Sequence, residues 1–196
     1  MKKIFIARNA FLVIGLIASS FISCKDASKQ EDTMEVVEEQ NEVQLEENNT
    51  QKEEANFFVD IAEMDLIEIE TAKLATEKAT NVEVKKYAEM LVTHHTKSSA
   101  ELKNLADGRQ LSLPTSLTDK GKDVYNKLNE KSGQEFDKEF IDTMIDDHEK
   151  TIRKMEDASE DNDNDQNVKV WASNKITSLT SHLQQAKMIK EKLDKK

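Results

Sequence analysis

The stretch Thr143–Ile152, "TMIDDHEKTI", decides how the chain folds. Its apolar residues, with Ile141 and Met155 on either side, recur at the three- and four-residue spacing of an amphipathic helix. His148 falls in the middle of that apolar stripe, beside Met144, Ile145 and Ile152, and not on the wet face. A second stretch, "MLVTHHTKSSAEL" from Met90, repeats the pattern with His95 on a stripe of Val84, Ala88, Leu91, Val92, Leu102 and Ala106. An imidazole on a greasy seam needs a partner, because a buried polar group left alone costs free energy. The fold reading and the site reading therefore start from the same residues.

Composition supports a helical bundle. The chain of 196 residues has 4 Gly and 1 Pro, too few turn formers for a sheet protein, and 5% aromatic against 34% charged residues. The periodicity predicts four long helices over about 56–79, 82–106, 134–159 and 166–194. A short fifth is expected from about Ser116 to Glu130. Asn81 is the expected N-cap of the second long helix; Gly108 is expected to stop it, and Gly133 to break the short one. The first two long helices are joined tightly and should be antiparallel. The connection to the third is long enough to cross the bundle, since extended chain covers about 3.3 Å per residue; a plain up-down connection is the alternative. The fold class expected is all-α, a ferritin-like four-helix bundle with a short extra helix in the crossover.

Upstream of this domain (55–196) two segments read differently. Residues 1–23, "MKKIFIARNAFLVIGLIASSFIS", have a basic start, an apolar run and small residues ahead of Cys24, the layout of a secretory signal. "FISC" resembles a bacterial lipobox, which implies that Cys24 is lipidated and becomes the first mature residue; an uncleaved anchor is the alternative. The "KDA" that follows resembles the charged export signals of surface lipoproteins. The expected location is the cell envelope of a Gram-negative bacterium, lipid-anchored at the outer membrane on its periplasmic or surface face. Residues 24–54 carry eleven acids against three lysines and no aromatic residue, so they read as a disordered acidic linker. The net charge of −11 argues against a nucleic-acid partner. The partner expected is the membrane, through the lipid.

Four polar residues share the seams. Glu68 lines up with Ile61, Met64, Ala72 and Ala75 in the first helix, His95 and His148 occupy the second and third, and His182 falls among Val168, Trp171, Leu179, Ala186 and Ile189 in the fourth. Each is near its helix midpoint, so side-by-side packing brings all four to one level. Asp65, Asp147 and His94 stand nearby as candidate outer partners. Three imidazoles and a carboxylate suit a single divalent metal, zinc or iron, with copper and manganese also compatible. The same four also make a metal-free hydrogen-bonded cluster that fixes helix register. A dinuclear iron site needs Glu-x-x-His steps, but Val92, Ile145 and Leu179 precede the histidines by three. "DNDNDQN" from Asp161 lacks the Gly and Glu of a calcium loop and reads as a solvated turn. There is no HExxH, phosphate loop or nucleophile constellation, so no reaction is assigned.

The segments "FVDIAEMDLIEIETAKLATEKATNVEVKKYAEMLVTHHTK", "LSLPTSL" and "FDKEFIDTMIDDHEKTI", with the late His182, resemble the bacterial domain of unknown function family 4142. Glu68, Asp147-His148 and His182 match its motifs, and His94 stands where the family has an Asp. The resemblance implies an exported ferritin-like four-helix protein and no established reaction. It leaves open an envelope binding, structural or stress-related module on one hand and a metal-binding protein on the other.

Overall fold

The computed structural model describes residues 32–45 and 49–195. Cys24 and the signal-like segment lie outside these residues. Six helices and no strand occur among the described residues: α1 (Thr33–Gln44), α2 (Asn49–Lys78), α3 (Val82–Asp107), α4 (Asp119–Asn129), α5 (Gly133–Glu160) and α6 (Gln166–Asp194). None of them is long and apolar enough to cross a membrane.

Helices α2, α3, α5 and α6 form a four-helix bundle. Side-chain pairs fix their directions. Asp60, in the first half of α2, meets Lys154 at 2.5 Å, and Asp137 accepts from Thr80 beyond the C-terminal end of α2, so α2 and α5 are antiparallel. Glu83 meets Lys192 and Glu101 meets Lys175, so α3 and α6 are antiparallel as well. Each hairpin closes through a short turn. Helices α3 and α5 consequently run the same way, and the chain between them must travel the length of the bundle. Helix α4 makes that journey along α2: Lys120 pairs with Glu63 at 2.8 Å at its start, and Lys78 reaches Asn129 Oδ1 at 3.2 Å at its end.

Local chemistry sets the helix ends. Asn81 caps α3 by accepting from the Glu83 amide at 2.8 Å, as its position predicts. Asp137, buried on α5, accepts from the Thr80 and Asn81 amides at 3.0 and 2.9 Å, and so braces the first hairpin turn from the second hairpin. Helix α4 is capped by Thr118, not Ser116: its hydroxyl accepts from Gly121 N–H at 3.1 Å and donates to Glu63 at 2.5 Å, which ties cap and helix to the core. Gly133 has φ of +58°, a conformation that glycine adopts without strain. Gly108 does not; its φ is −64°, and the left-handed residue after α3 is Gln110 at φ of +60°.

The expectation of a disordered linker through residue 54 is corrected. Helix α1 occupies much of it, and α2 begins at Asn49 rather than Asn56. Two buried residues hold α1 down. Val37 is apolar, and Asn41 donates to the Ser112 carbonyl at 3.0 Å and accepts from its amide at 2.8 Å. Asp32 caps α1 and also accepts from the Asp119 amide. The remaining acids of α1 face water, where their charge does not oppose the helix.

Two apolar clusters fill the bundle. One contains Ala72, Leu91, Phe136, Phe140, Met144 and Ala186, the other Phe58, Ile61, Leu102, Met155, Trp171 and Leu179. In sequence, Glu68 and His95 fall between the members that α2 and α3 contribute to the two clusters. His148 and His182 do the same on α5 and α6. A polar layer therefore cuts the core in two.

Candidate metal centre

Each bundle helix supplies one member of that layer: Glu68 from α2, His95 from α3, His148 from α5 and His182 from α6. All four are at most 3% exposed. The ring centroids of His95, His148 and His182 lie 5.3 to 5.5 Å apart, and one nitrogen from each ring falls within 4.8 Å of the others. Asp65 stands one turn before Glu68 on the same face of α2.

Hydrogen bonds on the outer side of the rings orient them. His148 Nδ1 lies 2.8 Å from the Met144 carbonyl one turn back, which can only accept, so Nδ1 carries the proton and Nε2 keeps a lone pair facing inward. His95 Nδ1 donates to Asp65 Oδ1 at 2.8 Å, and Nε2 again faces inward. His182 Nε2 lies 2.7 Å from His94 Nδ1, and its Nδ1 lies 3.2 Å from His148 Nε2. Metal-binding histidines are commonly held this way, one nitrogen tied to a carboxylate or carbonyl and the other free.

Glu68 is the unusual member. Its Oε2 is 2.7 Å from His95 Nε2 and 3.7 Å from His148 Nε2. The 2.7 Å contact is an ion-pair distance, but it lies off the line along which an imidazole N–H donates. Both Glu68 oxygens and His95 Nε2 therefore lack a hydrogen-bond partner while fully buried. Leaving such groups unmet costs about 1–3 kcal/mol each, more when charged.

The electrostatics are divided among the members. Burial opposes charge on Glu68, but His148 and His95 outweigh it and bring its pKa down to about 2. Burial likewise opposes charge on His95, and Glu68 and Asp65 outweigh it, taking the imidazole up to about 10. His182 is pushed down to about 3 by burial and by the facing imidazoles of His148 and His95, which disfavour a further positive charge, and His148 is lowered chiefly by burial. Burial raises Asp65. The resting layer thus holds one imidazolium between two acids and two neutral imidazoles.

Among the three outer candidates, Asp65 and His94 touch the layer. Asp147 does not: its charged partner is Lys150, at 3.7 Å. One residue before His148 is about 100° around the helix, so the two side chains diverge. Burial and the negative charge of Glu68 still raise Asp147 to about 6. The Met144 carbonyl was not foreseen as a partner, although its four-residue spacing from His148 is the signal. Tyr87, whose hydroxyl donates to the His182 carbonyl at 3.2 Å, had no signal beyond its place on the α3 stripe.

Over residues 39–189 the chain matches the family described as Domain of unknown function (DUF4142). It belongs to that family. The match takes in all four members of the layer and part of α1. No curated protein and no solved structure matches the chain.

Proposed function

We propose that this is an exported, lipid-tethered protein of the bacterial cell envelope, whose ferritin-like bundle holds one divalent metal ion, zinc or iron, on Glu68, His95, His148 and His182. The observation that carries this reading is the buried Glu68 carboxylate, facing imidazole nitrogens with neither oxygen hydrogen-bonded. Nitrogen and oxygen donors without thiolate suit zinc or ferrous iron. Four protein donors close the coordination sphere of a tetrahedral ion, which favours holding or buffering a metal over turning over a substrate. The bundle's two hairpins and end-to-end crossover support the ferritin-like description. The lipid tether rests on the residues around Cys24; recovery of a Cys24→Ser chain in the membrane fraction would count against it.

A second reading has its own observation. His95 stands between two carboxylates at 2.8 and 2.7 Å, the setting of an imidazolium. In that reading a proton on His95 Nε2 occupies the place of the ion, and the layer serves only to fix helix register. Elemental analysis of the full chain, purified without a histidine tag, separates the two. One zinc or iron per chain, absent from Glu68→Gln, supports the metal reading; a metal-free chain that also takes up no zinc on dialysis leaves the proton network.

A further inference from the structure

The buried layer approaches the surface at His94. This residue is exposed, yet its Nδ1 lies 2.7 Å from His182 Nε2, and the two rings stack with centroids 5.0 Å apart at 26°. His182 is therefore two-sided. Its Nε2 meets the exposed histidine, and its Nδ1 lies 3.2 Å from His148 Nε2 inside the bundle.

Beside this pair, between α3 and α6, is a cavity of about 20 Å³ lined in part by Asp65, His94, His95, Ser98, Lys175 and His182. That volume accommodates one water-sized occupant. The cavity thus joins an exposed imidazole to two members of the buried layer. Asp65 supplies an independent sign of an occupant: its Oδ2 is buried without a hydrogen-bond partner, although its Oδ1 is engaged by His95. The ammonium of Lys175, which would repel a cation, is held by Glu101 at 2.6 Å.

Building on the metal reading of the layer, we propose that His94 and His182 form an outer port for the ion. The two imidazoles take a divalent first-row cation at the surface, and the proton they share passes to the solvent-facing Nε2 of His94, so that both rings stay neutral. The ion then passes through the cavity, by the free oxygen of Asp65, to Nε2 of His95 and the rest of the layer. The sequence "HH" at 94–95 gives one helix both a surface imidazole and a buried one, about 100° apart.

The test is the rate of cobalt(II) uptake by the full chain, followed by the visible absorbance of the bound ion. His94→Gln keeps an amide N–H that can donate to His182 Nε2 and a good helix former at an exposed site, but offers a poor metal donor. The expected result is an unchanged end point of one cobalt per chain with an unchanged spectrum, reached about tenfold more slowly. Uptake at the wild-type rate would overturn the port and leave His94 as a residue that only orients His182. A changed end-point spectrum would also overturn it, by making His94 a ligand of the resting ion. If the wild-type chain takes up no cobalt, the metal reading of the layer fails, and the port fails with it.

Discussion

The two hairpins of the bundle contribute unequally to the layer they share. Hairpin α2–α3 brings Asp65, Glu68 and His95, which means both acids and the one imidazolium. Hairpin α5–α6 brings His148 and His182, whose pKa values are lowered and which stay neutral. The charge of the core is confined to the first hairpin, while the second offers lone pairs. A cation in the layer would therefore tie the hairpins together, whereas the proton on His95 bonds mainly within one of them.

The largest effect is expected from the charged hairpin. Glu68→Gln leaves the His95 imidazolium without its closest counter-charge, and breaking a buried pair typically costs about 3–5 kcal/mol. Urea unfolding of the apo chain should register that loss, and zinc should not restore it. A loss under about 1 kcal/mol would show that Glu68 is not balancing His95.

His148→Ala, on the neutral hairpin, should cost less, about 1–3 kcal/mol, from the unmet partners it leaves. Unchanged thermal stability, with and without zinc, would count against both readings of the layer.

The pH profile sharpens the same contrast. His182 must stay neutral to fold, with a folded pKa near 3 against an ordinary 6.5, so stability falls as the pH drops below 6.5 toward 3. Glu68, lowered from 4.5 to about 2, adds a further loss as the pH falls through that interval. His95, raised from 6.5 to about 10, contributes fully below 6.5 and loses its contribution as the pH climbs to 10. The apo chain should therefore be most stable near pH 6.5. Bound zinc should extend the alkaline side, because metal replaces the His95 proton, and its affinity should weaken in acid. A flat profile between pH 5 and 9 would contradict this division of charge.

The smallest effect is expected where the hairpins meet at the surface. Lys192 and Glu83 pair at 2.5 Å, both about half exposed, and Lys192→Ala should change stability by at most about 1 kcal/mol. A larger loss would move the hairpin contact away from the core.

The architecture was legible where apolar periodicity and special residues agree. The α3 start at Asn81, the α5 start near Gly133 and the depth of Glu68, His95, His148 and His182 all follow from the stripes. Helix α1 was not legible, because Val37 and Asn41 alone bury it and the surrounding acids have the composition of an unfolded tether. Asp137 was missed because its partners, Thr80 and Asn81, are more than fifty residues away. Position along a helix also did not separate Asp65, which holds His95, from Asp147, which does not touch the layer. What differs is the face: Asp65 shares that of Glu68, and Asp147 turns away from His148.

The central claim is that one ion sits among donors from all four helices. X-ray absorption of the zinc-loaded full chain tests it most directly. The expected spectrum has four nitrogen or oxygen neighbours at about 2.0–2.1 Å, with the outer scattering of three imidazoles. A six-oxygen sphere without imidazole scattering would place the ion on the acidic surface and contradict the account.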